Sequence, residues 1–169
     1  MDSTWKSITW RQFGAAIDML ENAIVACPDK VWGKRPGFWE FWYLAYHTLF
    51  FLDYYLSDPA EKFSPPTPFG LEELDPAGVL PPRVYTKAEL TTYLEHGRAK
   101  CRAKIAALTE EKAHQHCGFE RRDMTAAELL VYTMRHVQHH AAQLNLILRQ
   151  KINSAPSWVG RAKTGLDGE

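Results

Sequence analysis

The chain has little of what would announce a function outright. Its three cysteines, Cys27, Cys101 and Cys117, are an odd and widely spaced set with no CxxC pair. That excludes a disulfide framework and suits a reducing, cytoplasmic compartment. Neither charge is in excess, because 20 Lys+Arg stand against 20 Asp+Glu. There is thus no basic field to draw in nucleic acid, despite six Trp, seven Tyr and eight Phe. No Gly-rich phosphate loop, GxSxG or HExxH occurs. Nor does an apolar run of the signal-peptide kind open the sequence. The one long apolar stretch, 38–56, carries Glu40, His47 and Asp53 among crowded aromatics. A membrane span needs about 20 apolar residues with few charges, so the stretch reads as a buried core helix and no membrane partner is expected.

What is present suits one globular domain. The 169 residues are 46% hydrophobic and 24% charged, enough for a sizeable core. Four helical segments stand out. The first covers about Trp10–Ala26, with Phe13, Ile17, Leu20 and Ile24 at helical spacing, Thr9 and Gln12 in capping-box form, and a stop before Pro28. The second covers about Phe38–Leu56 and is apolar on nearly all sides, as at the centre of a bundle or in an oligomer interface. The third begins at the capping box Thr86/Glu89 and runs to about Glu111, with Leu90, Leu94, Cys101, Ile105 and Leu108 as its stripe. The fourth begins at the capping box Thr125/Glu128 and runs to about Lys151.

Between the second and third helices, 57–85 holds seven of the ten prolines and no helix or strand signal. A connection this long in a compact domain calls for a reason. The simplest is that helices two and three run parallel, so the chain must return the length of the second, roughly 28 Å at 1.5 Å per residue. The expectation is an all-α four-helix bundle over 1–153 with one long Pro-rich crossover. A loose polar tail then covers 154–169, with Trp158 tucked back.

The chemistry concentrates in the fourth helix. His136 and His140 are four apart and share one helical face. Spacing alone equally allows a plain polar border. His47, alone in an apolar helix, needs either a hydrogen-bond partner or a metal, and it supplies the third imidazole of a catalytic-type site. Three imidazoles suit Zn²⁺, Ni²⁺ or Fe²⁺ and leave a position for water or for substrate sulfur or oxygen.

Other polar residues read as structural. Glu40 is a helix N-terminal charge partner, Asp53 a surface or interface residue and His96 plain surface. Gln143 is either a partner to a ligand histidine or a solvated border residue. His114-Gln-His116-Cys117 reads as a solvated loop, Cys101 as core packing, and Cys27 as exposed after the first helix. Tyr43, Tyr46 and Phe50 either line a pocket beside His47 or belong to the core.

The elements His47-Thr-Leu-Phe-Phe-Leu-Asp-Tyr-Tyr-Leu and His136-Val-Gln-His-His140-Ala-Ala-Gln143 resemble those of the DinB (damage-inducible protein B) superfamily, and the resemblance extends over nearly the whole chain. Relatives are metal-binding bundles of up-down-down-up topology, with one histidine from helix two and two from helix four. The second of that pair is often followed by Arg-Gly-Gln, where this chain has Ala-Ala-Gln. Arg149 falls where relatives often carry an arginine and takes a supporting role.

The resemblance implies a metal at His47, His136 and His140, Zn²⁺ or Ni²⁺ before Fe²⁺, and a homodimer paired through the first helices. It also implies a metal-dependent transferase using a low-molecular-weight thiol (bacillithiol, mycothiol or glutathione) on a small electrophile. Two rivals stay open: a metal-dependent hydrolase, and a non-catalytic metal-binding or interaction bundle. A nucleic-acid-binding role is disfavoured by the zero net charge.

Overall fold

The computed structural model describes residues 2–119 and 122–167, and its regular elements are six α-helices with no strand among the described residues. The first, α1, spans Ser3–Ala26. It starts two turns before the capping box expected at Thr9, because Asp2 already caps it by accepting from the Thr4 amide at 3.0 Å. Trp5 and Ile8, in those early turns, stay exposed, which hid them from a reading based on buried periodicity. Phe13, Ile17, Leu20 and Ile24 are buried as expected. A short α2, Asp29–Trp32, follows Pro28. It buries Trp32, whose indole donates to the Tyr85 carbonyl at 2.9 Å.

The aromatic helix α3 spans Phe41–Leu56 and is buried on nearly every side. It begins three residues after its expected start, leaving Phe38 and Trp39 exposed in the preceding turn. Helix α4, Lys87–Ala107, starts at the Thr86/Glu89 capping box. It stops short of Glu111 because the chain breaks at Leu108 and is capped afresh by Thr109 for the five-residue α5, Glu110–His114. Helix α6 spans Ala126–Ile152, opens at the Thr125/Glu128 capping box and ends at Asn153 in the left-handed region.

The four long helices pack pairwise: α1 lies against α4 and α6, and α3 lies against the same two. Gly97 of α4 lets α3 approach, since a Cβ there would sit 2.8 Å from Leu52 Cδ2. The remaining flank of α3 is covered by the 57–85 segment, whose regular structure is one 3₁₀ turn, Glu72–Leu74. Phe63, Phe69 and Tyr85 of that segment meet Tyr46, Phe50 and Tyr54, with ring centroids 4.9 to 5.9 Å apart. The apolarity of α3 is thereby satisfied within one chain. No helix among the described residues is long and apolar enough to cross a membrane.

The segment after Asn153, expected to be loose, is pinned to α1. The Trp10 indole donates to the Thr164 carbonyl at 2.8 Å, and the Ala162 amide donates to the Arg11 carbonyl at 2.9 Å. Gly14 admits the approach of Ala162. Trp158, expected to tuck back, is exposed. Beneath this seam Asp18 is 1% exposed. It accepts from Arg98 Nη1 and, at 2.8 Å, from the Lys163 amide, while Arg98 also reaches Glu21 at 2.9 Å.

Removing one partner of such a pair leaves a buried charge uncompensated. Arg98→Ala should lower the unfolding free energy by about 3 kcal/mol in urea titration. Adding Asp18→Asn in the same background should recover part of that loss, because the orphaned charge is then gone.

Candidate metal centre

His47 lies in the middle of α3, half-buried among fully buried neighbours, with its ring against His136 and His140 of α6. His136 and His140 come from successive turns of α6 and meet it there. Ring centroids are 5.4 Å apart for His47 and His136, 5.0 Å for His47 and His140, and 4.4 Å for His136 and His140. One ring nitrogen of each lies within 4.8 Å of those of the others. The Nε2 atoms of His136 and His140 are 3.1 Å apart. Two nitrogens bound to one tetrahedral ion at about 2.05 Å would be about 3.3 Å apart. The donor set and its spacing therefore fit a divalent transition metal.

Two of the three outward nitrogens are held. Glu73 Oε2 is 2.8 Å from His47 Nδ1, and Gln143 Oε1 is 2.7 Å from His140 Nδ1. An acidic or carbonyl oxygen in that position fixes the proton on Nδ1 and leaves Nε2 with a free lone pair. The Glu73 side chain is 6% exposed, and the pKa of Tyr43 is raised, first by burial and then by the nearby Glu73 carboxylate. His136 Nδ1 and Glu73 Oε1 are buried without a partner among the described residues.

Sequence reasoning missed Glu73 altogether. It stands in the Pro-rich segment, 26 positions from His47, where no periodicity marks it. The one available signal was that a connection so long needed a reason. Gln143, left open between two roles, takes that of partner to His140.

Burial keeps the imidazoles of His136 and His140 uncharged. The His136 pKa falls to about 3 and that of His140 to about 4, in each case chiefly through desolvation. Neighbouring imidazoles push both further down, and Arg122 adds to the effect at His136, while the Gln143 bond opposes it at His140. Phe51 and Tyr55 form the aromatic wall, at 4.9 Å from the His47 ring and 6.3 Å from that of His136. Arg122 donates to the Tyr55 hydroxyl at 2.8 Å and lies over the Tyr132 ring. Of the aromatics expected near His47, Tyr43 is beside it, whereas Tyr46 and Phe50 are fully buried core.

Several other expectations are corrected. Asp53 is not a surface residue: it is buried, accepts from Tyr93 at 3.1 Å and pairs with Lys100. His96 is exposed, as expected, with its Nε2 3.3 Å from Asp53. The error over Asp53 has one cause: its partners lie on α4, and nothing local in α3 announces them. Cys27 is buried rather than exposed, and burial raises its pKa to about 12.

Cys101 is core, as expected. Glu40 stands at the N-cap of α3 without a side-chain capping bond and faces Arg35 at 3.7 Å. His139 is exposed outside the triad, and Arg149 is exposed near the end of α6. His114 and His116 join no metal-type cluster among the described residues.

Residues 12–144 match the family model of the DinB superfamily. Neither curated proteins nor solved structures gave a match.

The depressed histidines set a pH dependence for the metal-free protein. Unfolded, each titrates near 6.5, so between about 6.5 and about 3 the folded chain binds fewer protons than the unfolded one. Stability from these groups is fully present above that window and is lost as pH falls through it. The urea midpoint of metal-free protein should therefore drop across it, and a His136→Gln/His140→Gln variant should show a visibly flatter decline.

Proposed function

This chain belongs to the DinB superfamily, and on that premise we propose that it is a divalent-metal protein with His47, His136 and His140 as ligands and an open coordination position. We assign it metal-dependent transfer of a low-molecular-weight thiol to a small electrophile. The observation carrying this reading is the convergence of three imidazoles, two of which have their far nitrogens held, that of His47 by Glu73 and that of His140 by Gln143. A merely polar helix border would not need a buried carboxylate brought in from a distant segment. The pairing of α1 and α3 with α4 and α6 supports the four-helix, up-down-down-up arrangement with 57–85 as its crossover. Exposed Trp5 and Ile8 on α1 support pairing of two copies through that helix.

The chemistry divides between the ion and the chain. When bound, Zn²⁺ or Ni²⁺ supplies a Lewis acid that takes a thiol sulfur and lowers its pKa, so that a thiolate is present at neutral pH. His136 and His140, kept unprotonated by burial, hold their lone pairs ready without competition from protons. Glu73 keeps the His47 proton on Nδ1 and fixes the ring. Gln143 does the same for His140. Phe51 and Tyr55 limit water beside the imidazoles. The Arg122 guanidinium adds positive potential near His136, which favours an anionic nucleophile.

Elemental analysis of untagged protein tests the reading. About one transition metal per chain should be present, and it should be lost in His47→Ala, His136→Ala and His140→Ala but kept in His139→Ala. Glu73→Ala should retain the fold yet weaken metal binding about 10- to 100-fold in chelator competition. Metal-loaded protein should then accelerate conjugation of one of the three thiols to an electrophile. Failure of every variant and of wild type to hold metal after reconstitution with Zn²⁺ and Ni²⁺ would sink the assignment. Stoichiometric metal without any thiol turnover would leave the non-catalytic role.

A further inference from the structure

A second site lies where the C-terminal ends of α3 and α4 meet α5 and the first turn of α6. It is a cleft of about 590 Å³, within the size range that holds small ligands. His47, His136 and His140 do not line it, so it stands apart from the metal reading. Its floor is apolar, with Leu56, Cys117, Leu129 and Leu130 buried beneath it. Its rim carries Lys100, Lys104, Lys112 and His116.

The charges on that rim differ in availability. Lys100 is bound to Asp53 and, at 2.6 Å, to the Ser57 hydroxyl. Lys104 and Lys112 have no ion-pair partner among the described residues. The acidic side chain lining the cleft, Asp58, is turned to its own loop, accepting from the Ala60 amide at 2.9 Å.

His116 adds a neutral donor. Its Nδ1 accepts from the Gly118 amide at 3.0 Å, which leaves the proton on Nε2. The first amides of α6 contribute less than a helix N-terminus usually would. The Ala126 amide is spent on the Gln115 carbonyl and that of Glu128 on Thr125. Recognition of charge therefore falls to two ammonium groups, which act as flexible point charges.

We infer that this cleft binds a small organic anion, a carboxylate on a short apolar body, with Lys104 and Lys112 at the charged end and Leu129 and Leu130 beneath the apolar one. The inference gives the His116-Cys117 pair a role as lining rather than as metal ligands. It also explains why an exposed cleft keeps two unpaired lysines over an apolar floor, an arrangement that a purely structural corner does not require.

The test is a titration of the full-length, isotope-labelled protein with hexanoate, hexanamide and inorganic phosphate, followed by amide chemical shifts. Hexanoate should perturb the amides around Lys104, Lys112 and 116–118. Hexanamide, with the same body and no charge, should bind at least about fivefold more weakly. Phosphate, with charge and no body, should likewise be weaker. A Lys104→Glu/Lys112→Glu variant should lose the hexanoate response while keeping the remaining spectrum, and Lys104→Gln/Lys112→Gln serves if the charge reversal does not fold. Absence of hexanoate binding, equal responses to hexanoate and hexanamide, phosphate matching hexanoate, or shifts centred elsewhere would each overturn the inference. Because none of these readouts involves metal, loss of the three-histidine reading would leave this one standing.

Discussion

Helix α3 is apolar on every side and must be covered on every side. Two of its flanks are closed by α4 and α6, and the third requires a surface that no helix supplies. The 57–85 segment supplies it with Phe63, Phe69 and Tyr85. Burial of such rings contributes roughly 25 cal/mol per Å² of apolar area, which offsets the ordering of a long proline-rich chain whose backbone is already stiff. Once that segment is held against α3, its 3₁₀ turn stands beside His47, and Glu73 becomes available as a hydrogen-bond partner. The packing need of one helix thus positions an essential part of the site.

The same burial determines the electrostatics. A half-buried imidazole in water-poor surroundings is expensive to charge, and three in mutual ring contact are more so. The pull from Glu73 is directed at Nδ1 of His47 and leaves the inward nitrogen untouched. Arg122, wedged between Tyr55 and Tyr132, raises the local positive potential without presenting a competing acid. Desolvation and a distant guanidinium therefore act in one direction, toward neutral nitrogen donors and an affinity for anions.

Much of this was legible in the sequence, and what was not has physical reasons. The capping boxes at Thr86 and Thr125 mark their helix starts because a box is local, with both partners three residues apart. Thr9 and Gln12 have the same form yet lie inside α1, since Asp2 offered an earlier cap to a chain able to continue. The pairing of His136 with His140 is a matter of helical period, and its juxtaposition with His47 follows from the packing of α3 on α6. Glu73 and the Asp53 set are tertiary. Their partners come from other elements, so neither period nor composition records them. Asp53 shows the limit most sharply, because a carboxylate on an apolar helix reads as exposed until Lys100 and Tyr93 are seen to enclose it.

Buried polar groups in this chain fall into two kinds. Thr48 and Thr133 bond to carbonyls one turn back, and Asp18 is saturated by Arg98 and a backbone amide. By contrast Tyr46 OH, Glu72 Oε2, Glu73 Oε1 and His136 Nδ1 are buried without partners among the described residues. Each such atom costs about 1–3 kcal/mol, and an apolar substitution at most of these positions would be the more stable choice. The first three adjoin the segment that delivers Glu73, and the fourth belongs to the triad itself. Thr9 on α1, Arg102 on α4 and Asn145 on α6 carry unpartnered buried atoms as well, so this cost is not confined to the elements that fix the histidines. What sets the three histidines apart from a solvated helix border is therefore the burial of His136 and His140 and the carboxylate drawn to His47 from a distant segment, and not a concentration of unpaired polar atoms.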